Sequence, residues 1–252
     1  MADEREFIKK RLAELAKKSY SSSVFTFTDF LGLDELSAFS EIKSSLGGIR
    51  YTEFGGAEGT ERVMIRFGDE EELGWCEDFP IVILKTEPKA KKWADKLTHR
   101  DLLGALMSLG VERAMLGDIV IRDDAAYIFV KERIAPFILE GLTRAKHTDL
   151  ITSVASELPE GELFKTEERT VQCLSVRADA VVARVFSLSR EDAQRLFSSG
   201  LVFVDGRLAE SVSRELRVGE TVSVRGKGRF IFCGKVGTSK KGKQNLLVKL
   251  YV

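Results

Sequence analysis

The residues best suited to chemistry lie in one stretch, RADAVVARVFSLSREDAQRLFSSGLVFVDGR, from Arg177 to Arg207. Arg177, Arg184, Arg190 and Arg195 crowd two short helix-like runs, and guanidinium groups bind phosphate oxygens bidentately. Arg177 and Arg184 are seven residues apart, which puts them on one helix face. Ser189 precedes the second run with Asp192 three residues on, a capping spacing. A helix start with free N–H groups also attracts phosphate, so Ser189 serves either as a cap or as part of an anion site. Arg190 and Gln194 share a neighbouring face, and Arg195 lies opposite the apolar stripe Ala193, Leu196, Phe197. Asp179 either pairs with the arginines or caps the first helix. Arg207 follows Asp205–Gly206, a type I′ turn pair. A second cluster, GKGRF (226–230) and GTSKKGK (237–243), contributes Lys227, Arg229, Lys240, Lys241 and Lys243. GTSKKGK nearly spells a phosphate-binding loop. Gln244 stands where that loop needs Ser or Thr, and QNLLVKLYV reads as a strand where the loop must open a helix. A lysine-rich hairpin tip touching phosphates is the better reading.

Charge supports a polyanion partner. The chain has 252 residues, with 39 Lys+Arg and 39 Asp+Glu. Residues 1–176 carry 24 basic and 32 acidic side chains, whereas 177–252 carry 15 basic and 7 acidic. A basic module thus follows an acidic body. At 44% hydrophobic the chain is no wholly disordered polymer. Cys76, Cys173 and Cys233 form no CxxC pair and suggest no disulfide framework. His99 and His147 have no metal-ligand spacing, and no GxSxG elbow is present, so no metal, cofactor, small-molecule substrate or catalytic group is expected. Apolar runs such as Ile81–Leu84 are far too short for a bilayer, and MADEREFIKKRL lacks a signal-peptide core. The expectation is a soluble cytoplasmic monomer.

These residues need elements to hold them. Residues 3–18 read as a charged helix. Thr28 can cap a second helix carrying Leu31, Leu36, Phe39, Ile42 and Leu46, stopped by Gly47–Gly48. IRYTEF (49–54) and RVMIRF (62–67) flank glycine-rich GGAEGTE as a hairpin. Acidic pairs at Asp69–Glu72 and Asp123–Asp124 read as solvated loops. From residue 79 the order changes to strand FPIVILKTE, helix Thr98–Gly110 with Thr98 three residues before Asp101 in a capping-box spacing, strands 118–122 and 126–131 joined at Asp123–Asp124, and helix Glu132–Leu142. Strands at about 148–154 and 170–176 are able to close the sheet. That βαββαβ order is ferredoxin-like. Phe129 stacks a base if the sheet face is open, and otherwise belongs with Trp75 and Trp93 in the core; core is preferred. Polar 156–169 is a long loop or linker. Helices at 178–188 and 190–199 and short strands at 201–204, 207–209, 221–225, 229–236 and 245–252 complete the chain.

Arg177–Asp179, Ser189-Arg190 with Ala193, and Gly200 through Val202, Val204, Asp205 and Gly206 resemble the S4 RNA-binding domain, which carries R-x-D, S-R-x-x-A and G-x-V-x-V-[ND]-G. Ala178 stands where Leu is frequent in such domains, and Asp205 where Asn is common. TDFL (28–31), FGGAEGTER (54–62) and LTHRDLLGALMSLGVER with Gly117–Ile119 resemble the YlmH family of bacterial S4 proteins, over essentially the whole chain. The resemblance implies an α+β chain with an N-terminal α/β domain at 1–78, an RRM-like middle domain at 79–170 and an S4 domain at 171–252. It also implies a ribosome-associated factor that engages large-subunit ribosomal RNA and peptidyl-tRNA in rescue of stalled translation. The competing class is an RNA-modifying enzyme, of pseudouridine synthase or methyltransferase type, anchored by its S4 domain. No H-R-L-D segment or strand-linked G-x-G-x-x-G supports it. A third reading, a scaffold whose acidic N-terminal region recruits a protein, is compatible with the first.

Overall fold

The computed structural model describes residues 2–90, 92, 94–239 and 242–252. The chain is mixed α and β with several sheets, and it divides into two compact units, Met1–Leu163 and Phe164–Val252. Trp93, Lys240 and Lys241 lie outside the described residues.

The first unit opens with helix α1 (Ala2–Ser22). Leu12 and Ala16, one turn apart, bury against Leu31, Phe39, Ile65 and Phe67. Strand β1 (Thr26–Phe27) leads to helix α2 (Leu33–Ile42) and then to β2 (Tyr51–Phe54) and β3 (Met64–Phe67). β2 and β3 form the expected antiparallel hairpin, and β1 pairs with the other edge of β3. Thr28 does not cap α2. Its hydroxyl oxygen accepts the Ile65 N–H at 2.9 Å, a sheet-spanning bond. The helix starts after Gly32, whose N–H donates to the Glu35 carboxylate at 2.6 Å. Asp69, read as part of a solvated loop, caps a short helix, α3 (Glu70–Leu73), and pairs with Arg50 at 3.0 Å.

Strand β4 (Ile81–Pro88), helix α4 (His99–Ser108), strands β5 (Leu116–Arg122) and β6 (Ala125–Lys131), helix α5 (Ala135–Gly141) and strands β7 (Arg144–Ala145) and β8 (Thr148–Val154) follow. The sheet order is β5-β6-β4-β8-β7, with antiparallel pairings throughout. Asp123 and Asp124 take φ of 52° and 66° in the β5–β6 turn, as a type I′ hairpin requires. Thr98 and Asp101 cap α4 reciprocally: the Thr98 N–H donates to the Asp101 carboxylate at 2.8 Å, and the Asp101 N–H to the Thr98 hydroxyl oxygen. Hydrogen bonds from Thr98 and then Lys146 lower the Asp101 pKa to about 2.

Side chains alternate across this sheet. Leu84, Ile128 and Val130 pack under Leu102, Leu106 and Ile138 of the two helices. Phe129 therefore points the other way, and it is nevertheless 0% exposed. The glycine-rich loop covers it. A Cβ on Gly56 would come within 2.5 Å of the Phe129 ring, and one on Gly117 within 2.8 Å of Phe30. Gly56 also has φ of +99°, so glycine is required there twice over. Arg62 fastens the same junction through the carbonyls of Phe30 (2.7 Å) and Leu116 (2.9 Å), and Lys131 pairs with Asp29 at 2.7 Å.

The second unit begins with strand β9 (Thr166–Cys173). This strand does not close the preceding sheet. It pairs along its whole length with β14 (Gln244–Tyr251) at the other end of the unit. Its outward residues are polar because it is an edge strand, and its first four, Thr166–Arg169, belong to the polar stretch expected as loop or linker. Helices α6 (Ala178–Val185) and α7 (Arg190–Ser198) come next, then β10 (Val202–Val204), β11 (Arg207–Leu208), β12 (Thr221–Val224) and β13 (Gly228–Thr238). The sheet runs β11-β10-β12-β13-β14-β9. Val181, Val182, Val185, Ala193 and Phe197 pack on Val204, Val222, Phe230, Leu246 and Val248 to form its core.

Candidate nucleic-acid interface

Asp179 is the organising residue of the second unit. It sits in the first turn of α6 and is 0% exposed. Arg177 grips it with two bonds, Nε and Nη2 each 3.1 Å from a carboxylate oxygen. Gln194 of α7 donates to it at 3.3 Å, the Ala180 N–H at 2.9 Å, and Arg190 Nε stands 3.6 Å away. Burial alone would push the carboxyl pKa up. The hydrogen bonds from Arg177 and Gln194, the Arg177 charge and the Ala180 amide outweigh burial and hold it below the ordinary 3.8. One buried carboxylate thus brings together three residues singled out from the sequence, Arg177 just before α6 and Arg190 and Gln194 on α7.

Arg177 differs from expectation in one respect. It does not lie in the helix with Arg184. It precedes α6 in extended conformation, φ −62° and ψ 138°, and Arg184 projects from the last turn. The pair therefore marks the two ends of α6 rather than one face. Extended Arg177 also bridges to Glu215, and that strand-like contact fixes where the helix begins.

Ser189 caps α7: its hydroxyl oxygen accepts the Asp192 N–H at 3.0 Å and its O–H donates to the Asp192 carboxylate at 2.6 Å. That hydrogen bond, with the Arg195 and Lys227 charges, lowers the Asp192 pKa. Arg195 pairs with Asp192 at 2.9 Å and Glu191 at 3.6 Å. Lys227 is exposed in the β12–β13 turn, which Gly228 sets beside Phe186 at the end of α6. Arg184, Arg190 and Lys227 are exposed cations of this unit.

Other residues of the set fall elsewhere. The Arg229 guanidinium lies 3.9 Å from the Tyr251 ring centroid and 4.8 Å from that of Phe164, a cation–π stack that ties β13 to the unit's two ends. Arg207 is exposed after Asp205–Gly206, whose φ values of 49° and 72° make the expected turn. The Asp205 carboxylate accepts the Thr221 N–H at 2.8 Å, a bond that suits Asp at this position. Lys243 closes the β13–β14 turn, its N–H donating to the Ser239 hydroxyl at 3.0 Å. Gln244 opens a strand, so GTSKKGK has no helix to present to a nucleotide. Arg225, stacked 5.3 Å over Phe203, was not singled out. Only its place two residues before Lys227 in the basic turn could have marked it.

Among the described residues no group of three or more His, Cys, Asp and Glu is placed to hold a metal, and no helix is long and apolar enough to cross a membrane. The His99 pKa is lowered by partial burial and by the Arg113 and Arg100 charges. What the second unit offers is a preorganised array of cations over a buried anion, able to receive phosphate oxygens.

Residues 76–155 match the family model described as "Putative RNA-binding domain in YlmH". The chain is 30% identical over 249 residues to the "Ribosome-associated protein quality control protein P2" of Bacillus subtilis (strain 168), covering 96% of this chain and 93% of that protein. Among solved structures it is similar to the "Cell division protein ylmH from Streptococcus pneumoniae", with a TM-score of 0.48 and 20% identity, covering 60% of this chain and 91% of that one.

Proposed function

The chain belongs to the YlmH family, and from that we propose that it is a non-enzymatic, ribosome-associated RNA-binding factor of the cytoplasm. Its task in this reading is quality control of stalled translation, in which it engages large-subunit ribosomal RNA and a peptidyl-tRNA as a monomer. The name of the B. subtilis relative supports the ribosomal setting. The observation that carries the reading is the arginine array held by Asp179 in a unit with 17 basic and 9 acidic side chains. We assign that array to an S4 domain and the β4–β8 sheet, with its β5-β6-β4-β8 order, to an RRM-like ferredoxin-type domain starting at 79; because β9 belongs whole to the second unit, the boundary between them lies before Phe164 rather than at 170/171. Residues 1–78 form the N-terminal α/β domain. The RNA-contact residues in this reading are Arg184, Arg190 and Lys227, with Arg177, Ser189, Gln194 and Arg195 beside them on α6 and α7, and Arg207, Arg229 and Lys243 elsewhere on the unit; Lys240 and Lys241 join them on charge alone. Phosphate contacts of this kind read backbone shape rather than base sequence.

The enzymatic alternative would need Asp179 as a nucleophile, as in a pseudouridine synthase. Its oxygens are occupied by Arg177, Gln194 and the Ala180 amide, which favours a positioning role.

Sedimentation of cell extract tests the reading. The protein should travel with large-subunit particles, more so when translation is stalled. The double change Arg184→Glu with Lys227→Glu, which spares the Asp179 cluster, should move it to the top of the gradient without altering its melting temperature. Wild-type protein at the top under every stalling condition would reject the ribosomal assignment.

A further inference from the structure

A second basic surface is built on the acidic unit. Met1–Leu163 carries 22 basic and 30 acidic side chains, yet its run Lys89–Arg100 has five Lys/Arg and one Asp. The described residues of this run lead from β4 into the first turn of α4 and are laced to the β7–β8 hairpin. Lys89 N–H donates to the Asp149 carbonyl at 2.9 Å, Asp95 N–H to the Thr148 hydroxyl at 2.8 Å, and His147 N–H to the Asp95 carboxylate at 3.1 Å. The hairpin adds exposed Arg144 and Lys146. Together, residues 89–101 and 143–149 carry seven Lys/Arg against three Asp. Two of those carboxylates are engaged locally: Asp101 by Thr98 and Lys146, the latter at 2.9 Å, and Asp95 by His147 and Thr148. Lys89, Lys92, Lys96 and Arg100 are all exposed.

Beside this run the surface is hollowed by about 380 Å³, with Pro88, Leu97 and Ile121 as apolar walls and Lys96 and Asp124 among its polar lining. A nucleobase has apolar faces and polar edges, and fits such a hollow while neighbouring lysines take the phosphates. The opposite face of the same sheet, where a base would stack on Phe129, is closed by Gly56. We propose that the Lys89–Arg100 connection, with the β7–β8 hairpin, is a second RNA-contact surface that holds consecutive phosphates and receives one unstacked base in the adjoining hollow. The proposal deepens the RNA-binding reading and rests on it. An acidic protein segment would satisfy the lysines but leave the apolar hollow unfilled, so RNA is the better occupant.

The test uses the full chain, with a tRNA transcript and purified large subunits as probes. The triple change Lys89→Gln, Lys92→Gln, Lys96→Gln should weaken binding about tenfold near physiological salt and make the log–log salt slope shallower by about 2 to 3. Ile121→Trp, which fills the hollow, should weaken binding with the slope unchanged. Wild-type affinity and slope in the triple variant, alongside loss in Arg184→Glu/Lys227→Glu, would overturn this surface and leave the proposed function standing. No loss in either variant would take both down. Unchanged RNA affinity with lost binding of poly-L-glutamate would hand the surface to an acidic protein and also overturn the proposal. Crosslinking of wild-type protein to a 4-thiouridine-containing tRNA is independent of any variant. Adducts in peptides covering 89–100 or 143–149 support the inference, and adducts confined to Phe164–Val252 defeat it.

Discussion

Replacing Asp179 by Asn should unfold the second unit more easily and loosen its arginines at the same time. Asn keeps the shape and an acceptor for the Ala180 N–H. It loses the charge that receives two bonds from Arg177 at 3.1 Å and attracts Arg190 at 3.6 Å. A hydrogen bond to a charged group contributes about 1.5–3 kcal/mol and a neutral one about 0.5–1.5. Asp179 is 0% exposed, but the Arg177 and Arg190 side chains keep 32% and 66% of their exposure and rehydrate when released. That argues for the lower part of the range for a broken ion pair, about 2 kcal/mol. A unit of this size then melts roughly 8–15 °C earlier. Calorimetry of the full chain should show this in one transition only. The pH dependence has a definite sign. The folded pKa lies below 3.8, so the stabilisation is complete above the unfolded value and disappears as pH falls through the lower folded one. The difference between wild type and Asp179→Asn should therefore be constant at neutral pH and shrink below about pH 4. An unchanged melting temperature at pH 7, or a difference that persists in acid, would refute the account of Asp179.

Four further outcomes are expected. If about five Lys/Arg touch phosphates, log K should fall with log salt at a slope of roughly −3.5 to −4.5; a flat titration would remove the cations from the interface. Gly56→Ala should destabilise the first unit by about 2–3 kcal/mol, because the new methyl group meets Phe129 from a left-handed backbone, and an unperturbed calorimetric transition would contradict that packing. Limited proteolysis should cut the exposed 156–162 segment and release a folded fragment from about Phe164 onward that binds RNA; a folded fragment without RNA affinity would count against the basic unit. Incubation with ribosomal RNA or tRNA followed by nucleoside mass analysis should show no new modification, and product exceeding stoichiometry that vanishes in Asp179→Ala would restore the synthase alternative.

Local signals in the sequence were legible and non-local ones were not. The Thr98–Asp101 box, the Asp123–Asp124 turn and the Asp205–Gly206 turn each depend on neighbouring residues, and the structure contains all three. Thr28 looked like a cap because hydroxyl residues before apolar runs usually are. It instead meets Ile65, thirty-seven residues away, and a tertiary hydrogen bond leaves no trace in local spacing. TEER reads as the end of a linker and 170–176 as a strand of the preceding sheet, because an edge strand has one solvated side and the true partner of TEERTVQC, QNLLVKLY, lies at the far end of the unit. Arg229 could be read only as charge. Its engagement with Phe164 and Tyr251 depends on the fold bringing both aromatic rings to it.

The same locality explains why whole-chain charge misleads. Zero net charge and a sequence pI near 6.8 suggest indifference to polyanions. Exposed charges interact over about one Debye length, roughly 8–10 Å at physiological ionic strength. A phosphate approaching Lys227 or Lys96 responds to the side chains within that distance, and distant acids are screened. Close acids are a different matter. Asp179, Asp101 and Asp95 lie within the basic clusters, but each accepts hydrogen bonds from residues beside it, so its charge is spent on positioning rather than on repelling a ligand. A buried anion that fixes arginines lowers the entropy they lose on meeting phosphate. Removing such an acid should therefore weaken RNA binding even though it raises the local positive charge. Asp179→Asn tests this directly, since a purely Coulombic surface would bind RNA more tightly in the variant and a preorganised one less tightly.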